Sequence, residues 1–154
     1  RRGKTLIVFK LVEKHGNGLY ELIKNKSGKD REVFFVYGGV DAEQREKVRE
    51  ITEKSNNAII VASYGTFSTG INIRNLHNII FASPSKSRIR NLQSIGRGLR
   101  LGDNKVNATL YDIADDLQYK SKENFTLKHF QERINIYTEE EFDYEIHNIN
   151  LKEW

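Results

Sequence analysis

An arginine-rich segment at positions 93–100, Gln-Ser-Ile-Gly-Arg-Gly-Leu-Arg, has the residue types and spacing of a phosphate-binding surface. Residues three and four positions apart share one face of a helix, which would place Arg97 and Arg100 beside Gln93. Gly96 on the same face costs a helix about 1 kcal/mol relative to alanine, a cost consistent with the close approach of a backbone or a ligand. Guanidinium groups donate hydrogen bonds in a fixed fork that matches phosphate oxygens. The segment therefore predicts a phosphate-binding helix face, and a solvated basic face is the alternative.

A second segment, at positions 63–72, is rich in hydroxyl groups and glycine and follows an apolar run. Its polar and glycine residues of interest are Ser63, Thr66, Ser68, Thr69, Gly70 and Asn72. Hydroxyl and backbone N–H groups bind the phosphate oxygens of nucleic acids, and glycine permits the close approach of a ligand. The segment therefore indicates a nucleic-acid contact, and an ordinary turn is the alternative.

Basic residues also concentrate between positions 86 and 105, where Asp103 is the single acidic residue. They are Lys86, Arg88, Arg90, Arg97, Arg100 and Lys105. We expect Lys86 and Arg88 to contact a nucleic-acid backbone, which would make binding dependent on salt and largely independent of base sequence. A solvated surface is the alternative here too.

Two signatures of a self-sufficient nucleotide site are missing from the sequence. No G-x-x-x-x-G-K-[ST] phosphate loop occurs anywhere in the sequence. Residues 3–5 (Gly-Lys-Thr) match only its last part and lead into a strand, whereas a phosphate loop follows a strand and opens a helix. No Asp-Glu pair ends an apolar strand. Asp115 and Asp116 do follow a strand, but a cap or turn explains them better than a metal site, and the four histidines lack metal-ligand spacing. No metal site is predicted.

The elements that position these segments follow from short apolar runs. Runs at 5–9, 33–37, 58–62, 78–82 and 108–113 predict strands. They alternate with helical segments. One segment contains residues 19–23, one is capped by Asp41 with Gln44 three residues on, and one covers roughly residues 87–99. This alternation predicts an α/β fold in which helices cover both faces of a parallel sheet.

The pattern changes after Asp116, so we divide the chain into a sheet domain, 1–116, and an appendage packed on it, 117–154. Apolar residues at helical spacing predict an amphipathic helix over 125–138. An acidic run and an alternating apolar tail follow, in which a final strand is possible. The acidic run is interpreted as a solvated face.

Composition limits the classes of protein that the chain can represent. With 154 residues, 38% hydrophobic and 30% charged, it predicts a globular domain and excludes fibrous and disordered classes. A net charge of +4 is compatible with nucleic acid. The chain has no cysteine, no membrane-spanning run and no signal peptide, which predicts a cytoplasmic location (host cytoplasm if phage-encoded) and no membrane partner. It also lacks methionine, from which we expect that it begins inside a longer protein.

Several segments, in order along the chain, resemble motifs of superfamily 2 helicases and translocases. Residues 93–100 resemble motif VI, and residues 60–72 resemble motif V, although Asn72 stands where the family commonly has aspartate. Residues 5–10 resemble motif IV, and the glycine turn at 38–39 with the helix after it resembles the next element of these lobes. More narrowly, residues 60–76, 93–100, 111–116 and 129–137 resemble the C-terminal half of the UvsW-type phage DNA helicases.

The resemblance implies a RecA-like second motor lobe of an ATP-dependent helicase, acting on DNA in preference to RNA in branched-DNA unwinding, fork remodelling or repair. Arg97 and Arg100 would be arginine fingers, and Gln93, Gly96, Gly70 and Asn72 would line the ATP cleft. ATP and Mg²⁺ would bind mainly to an absent N-terminal RecA-like lobe, so the isolated chain is expected to be inactive. The nucleic-acid contacts would be Lys10, Gly38, Gly39, Ser63, Thr66, Ser68, Thr69, Lys86 and Arg88.

Two other functions are compatible with a sheet of this type. The first is a non-catalytic nucleic-acid-binding module on a degenerate RecA-like fold, against which the intact arginine pair argues. The second is a flavodoxin-like enzyme that handles nucleotides or phosphosugars. It would need an acid/base pair at the carboxyl ends of the strands, and the sequence shows none.

Overall fold

The computed structural model describes residues 3–66, 73, 76–83, 108–117, 122 and 124–150. The chain divides into two compact units, Arg1–Ala114 and Asp115–Trp154. The prediction that residues 117–154 pack on the sheet domain stays a prediction. None of the helices in the described part of the chain is long and apolar enough to cross a lipid bilayer.

The first unit contains a parallel sheet of five strands in the order β2-β3-β1-β4-β5. The strands are β1 (Thr5–Phe9), β2 (Val33–Val36), β3 (Ile59–Ser63), β4 (Asn78–Phe81) and β5 (Thr109–Asp112). Every residue of β1 and of β3 is buried. Strands covered on both faces have no polar side, which explains their unalternating apolar runs. The predicted parallel α/β sheet is confirmed, with strand ends shifted by one residue in several places.

Helix α1 (Asn17–Lys26) covers one face of the sheet and follows a π-helical turn, Val12–Gly16. Its residues Leu19, Tyr20 and Ile23 pack against a buried cluster from β1 and β3, namely Ile7, Phe9, Ile59 and Val61. The helix predicted around residues 19–23 is therefore confirmed. It ends just before Gly28, whose φ of +74° favours glycine.

Helix α2 (Ala42–Lys54) begins at the predicted cap, because the Asp41 carboxylate accepts a hydrogen bond from the Gln44 N–H at 2.8 Å. On its exposed surface, the side-chain hydrogen bond from Arg49 holds the pKa of Glu46 below its ordinary value. The β1–β2 and β2–β3 connections cross the sheet in opposite directions. Because such crossovers are right-handed, α1 and α2 lie on opposite faces.

The second unit is built around α3 (Phe125–Glu139), one residue longer than the predicted helix. The Asp115 carbonyl accepts hydrogen bonds from Asn124 Nδ2 at 2.9 Å and Thr126 Oγ1 at 2.8 Å, which ties the helix start to the preceding segment. Tyr137 is buried and its ring lies near those of Phe142 and Tyr144. Residues 142–150, the described part of the tail, form no strand, so the possible final strand is not realised there.

Candidate nucleic-acid interface

The carboxyl ends of four neighbouring strands bring separate polar segments to one edge of the sheet. In sheet order these are the Gly38–Gly39 turn after β2, Ser63 and Thr66 at the end of β3, Lys10 after β1 and Ser83 after β4. Ligands of open parallel sheets bind outside this edge. The structure therefore assembles five of the predicted nucleic-acid residues at the place where an α/β sheet offers a binding surface.

Among the residues just named at this edge, Lys10 is the one that carries a positive charge, and its side chain is exposed. The residue before it, Phe9, is fully buried, whereas the Lys10 side chain is exposed. The Lys10 backbone N–H donates to the Ser83 hydroxyl oxygen at 2.9 Å. A lysine ammonium held in solvent on a fixed backbone suits contact with a phosphate oxygen.

Ser63 and Thr66 meet each other at the end of β3. Their hydroxyl oxygens are 2.8 Å apart and hydrogen-bonded, and the side chains are buried, at 8% and 2% exposure. Residues 64–66 are helical, which turns Thr66 back towards Ser63. The pair fixes the start of the loop after β3, and direct contact of either hydroxyl with nucleic acid stays a prediction.

The two glycines after β2 differ in whether the structure has room for a side chain at their positions. A Cβ atom at position 39 would lie 2.7 Å from Cε2 of Tyr37, because the Tyr37 ring crosses the turn and packs on Phe35 with ring centroids 5.1 Å apart. A Cβ at position 38 would meet no atom within 4 Å. A side chain at position 39 would therefore displace the Tyr37 ring, while Gly38 leaves exposed backbone at the edge.

Ser83 was missed in the sequence analysis. It lies in an Ala-Ser-Pro-Ser stretch that is typical of an ordinary loop. The signal that could have found it is positional. Ser83 is two residues past Phe81, the last partner of β1 in the ladder, and so stands opposite Lys10. Recognising that required the strand register.

The remaining predicted site residues lie outside the described residues. They are Gln93, Gly96, Arg97, Arg100, Gly70 and Asn72 for ATP, and Ser68, Thr69, Lys86 and Arg88 for nucleic acid. The helix predicted over residues 87–99 lies outside them too. These assignments stay predictions.

Two cations at the opposite, amino edge of the sheet bind the protein's own backbone instead. Arg31 donates from Nε to the Asn57 carbonyl at 2.9 Å, and from Nη2 to the Gly3 carbonyl at 2.8 Å and to Thr5 Oγ1 at 2.9 Å. Burial lowers the pKa of Arg31. Lys4, only 4% exposed, donates from Nζ to the Glu53 carbonyl at 3.0 Å. These two residues stabilise the fold.

A cavity of about 410 Å³ also opens towards the amino edge, beside Arg31. Its walls are α1 and the sheet face formed by residues such as Ile7, Ile80 and Tyr111, and they are mainly apolar. Because Lys10 and the other carboxyl-edge residues do not line it, the cavity is not part of the candidate interface.

Comparison with known proteins identifies the family of the sheet unit. Residues 1–102 match the model of the helicase conserved C-terminal domain. The chain is 41% identical over 157 residues to the ATP-dependent DNA helicase uvsW of Enterobacteria phage T4, covering 96% of the chain and 30% of that relative. It therefore spans less than a third of this relative's length.

Solved structures agree. The crystal structure of T4 UvsW superposes with a TM-score of 0.78 at 38% identity and covers 97% of this chain and 32% of that one. Domain 2 of the DEAD-box helicase Mss116p, bound to an RNA duplex, superposes with a TM-score of 0.60 at 21% identity, covering 75% and 43%, which supports the fold alone. The predicted RecA-like fold and the resemblance to UvsW-type helicases are confirmed.

Proposed function

Because the chain belongs to the helicase conserved C-terminal domain family, we propose that it is the second motor lobe of an ATP-dependent DNA helicase. One observation carries the proposal. Lys10, Gly38, Gly39 and the Ser63–Thr66 turn follow adjacent strands and share one edge of the sheet. The exposed residues among them, Lys10, Gly38 and Gly39, form the track for a nucleic-acid strand, and the buried Ser63 and Thr66 side chains support it from below.

The track serves binding that is independent of base sequence. Lys10 supplies one charge for a phosphate, and the exposed backbone at Gly38 supplies N–H groups and close approach. The buried hydroxyl pair after β3 fixes the start of the loop that continues the track. We also assign Ser68, Thr69, Lys86 and Arg88, which lie outside the described residues, to contacts with the nucleic acid.

ATP and Mg²⁺ are assigned mainly to an N-terminal lobe, because this sequence has no phosphate loop. Among the described residues, no group of three or more His, Cys, Asp or Glu side chains could hold a metal ion. This lobe contributes Gln93, Gly96, Gly70 and Asn72 to the cleft, with Arg97 and Arg100 as the fingers. Bound ATP–Mg²⁺ supplies the phosphoryl group whose charge such guanidinium groups stabilise. The isolated chain is therefore expected to show negligible ATP hydrolysis.

Movement along nucleic acid follows from cleft closure. When the two lobes close on ATP, the carboxyl-edge track of this lobe moves towards the track of the other lobe, and it moves back when the cleft reopens. Contacts to the phosphate backbone allow such steps on any base sequence. The DNA assignment, with branched-DNA unwinding or fork remodelling as its use, rests on the relative described as a DNA helicase.

The experiment that tests the track removes one lysine at each edge of the sheet. In the full-length protein, Lys10→Ala should weaken binding of single-stranded DNA and lower the slope of log affinity against log salt concentration by about 0.7, the contribution of one phosphate contact. Lys29→Ala is the matched control, because Lys29 is exposed in the turn between α1 and β2 at the opposite edge. It should change neither quantity.

Two outcomes would contradict the proposal. If Lys10→Ala binds DNA with the parent's affinity and salt dependence, the carboxyl-edge track is wrong. If the parent binds DNA but does not hydrolyse ATP, the protein is the non-catalytic binding module that the sequence analysis kept as an alternative.

A further inference from the structure

The hydrogen bond between Lys10 and Ser83 stands where the β1–β4 ladder ends. The last residue pair of that ladder is Val8 with Phe81, and the Ala82 N–H then donates to the Val8 carbonyl at 3.0 Å. In a ladder continued by one step, a main-chain carbonyl of the neighbouring strand would accept the Lys10 N–H. The Ser83 hydroxyl oxygen takes that role at 2.9 Å.

This side-chain bond anchors the Lys10 backbone to the segment that follows β4. The chain just before Lys10 is held by Phe9, which is fully buried and packs against Phe35. The Lys10 backbone N–H itself is held by the Ser83 hydroxyl, while the Lys10 side chain remains exposed to solvent. A backbone fixed in this way reduces the conformational entropy lost when the lysine side chain binds an anion.

We propose that Ser83 is a positioning residue for nucleic-acid binding. Its hydroxyl holds the Lys10 backbone so that the Lys10 ammonium meets a phosphate at the carboxyl edge, and Ser83 itself need not contact the nucleic acid. The inference rests on the proposed function of Lys10 and deepens it.

The test uses two substitutions of nearly equal shape in the full-length protein, Ser83→Thr and Ser83→Val, of which only threonine keeps a hydroxyl acceptor. Each substitution is made in the parent protein and in the Lys10→Ala variant. Binding of single-stranded DNA is then measured by fluorescence anisotropy over a range of salt concentrations. We expect Ser83→Thr to bind like the parent. We expect Ser83→Val to bind about two- to fivefold more weakly, with a salt slope reduced by part of the roughly 0.7 that one phosphate contributes.

The double variant decides between positioning and a structural role. In the Lys10→Ala background, Ser83→Val should weaken binding no further, because the residue it positions is already gone. Ser27→Ala is the matched control. It also removes a hydroxyl that makes one hydrogen bond, to the Lys24 carbonyl at 3.2 Å, but does so at the amino edge. It should leave binding unchanged. Thermal unfolding checks that each variant is folded, and Ser83→Ala replaces Ser83→Val if valine prevents folding.

Each contrary outcome has a distinct meaning. Equal weakening by Ser83→Val in both backgrounds overturns positioning, since Ser83 then acts on its own. Parent-like binding by Ser83→Val, while Lys10→Ala binds weakly, overturns the inference and leaves the proposed track standing. Parent-like binding by Lys10→Ala overturns both.

Discussion

Gly16 offers a steric test of the packing that supports Lys10. A Cβ atom at this position would lie 2.5 Å from Cε2 and 2.6 Å from Cζ of Phe9, and 3.1 Å from Cζ of Phe35. The two rings stack with centroids 5.6 Å apart, and Phe9 is fully buried, so the Phe9 ring has little room to move away. The backbone at Gly16 is helical, with φ −63° and ψ −48°. Alanine can adopt that conformation, so Gly16→Ala changes packing alone.

The expected magnitude is the difference of two terms. Overpacking a buried site costs about 1–3 kcal/mol, while replacing glycine by alanine in helical backbone gains about 0.5–1 kcal/mol. Gly16→Ala should therefore lower the free energy of unfolding by up to about 2.5 kcal/mol. Gly18→Ala is the matched control, because a Cβ there meets no atom within 4 Å. It should keep only the helix gain of about 0.5–1 kcal/mol.

The assay is thermal unfolding followed by near-ultraviolet circular dichroism, which reports on the Phe9, Tyr20, Phe35 and Tyr37 rings. The melting temperature of Gly16→Ala should lie roughly 5–10 °C below that of Gly18→Ala. If Gly16→Ala melts at or above the Gly18→Ala temperature, the close packing of residue 16 on Phe9 is wrong.

Two further stability predictions concern the amino edge and the start of α2. Arg31→Ala should lower the free energy of unfolding by about 2–4 kcal/mol in urea unfolding, since three carbonyl and hydroxyl oxygens lose their donor. Arg31→Lys should recover only part of the lost free energy of unfolding, because an ammonium lacks the guanidinium fork. If Arg31→Ala unfolds at the same urea concentration as the parent, the guanidinium is dispensable for stability. Asp41→Ala should cost about 1 kcal/mol in the same measurement through loss of the cap. Asp41→Asn should retain most of the stability that the cap contributes, because asparagine also accepts the capping hydrogen bond. Equal losses for Asp41→Ala and Asp41→Asn would refute the capping role.

The elements of this fold were predictable wherever a local rule determines them. Thr5–Phe9 and Ile59–Ser63 are strands without polar alternation because both faces are covered, and that pattern is visible in the sequence. Asp41 followed by Gln44 marked the start of a helix because capping involves neighbours along the chain. Lys10, Gly38 and Ser63 share one edge because parallel strands run in the same direction, and each of them follows a strand that the sequence indicates.

Features that depend on register or on distant contacts could not be predicted in this way. The order β2-β3-β1-β4-β5 is set by which strands pair, and the apolar runs are too alike to specify it. The role of Ser83 exists only because β4 ends at Phe81 beside Val8. The composition of residues 63–72 predicts that the Ser63 and Thr66 hydroxyls face a phosphate. Their burial against each other depends on the helical turn at 64–66, which sequence composition does not reveal.

The central claim, that this lobe completes the ATP site of its partner lobe, is tested most directly by Arg100→Ala in the full-length protein. Nucleotide affinity and the rate of DNA-stimulated ATP hydrolysis are measured together, with Lys29→Ala as the charge-matched control. An arginine finger is worth roughly 10³ to 10⁵ in rate. Arg100→Ala should therefore lose nearly all hydrolysis while binding ATP almost as the parent does. Hydrolysis at the parent rate would contradict the claim.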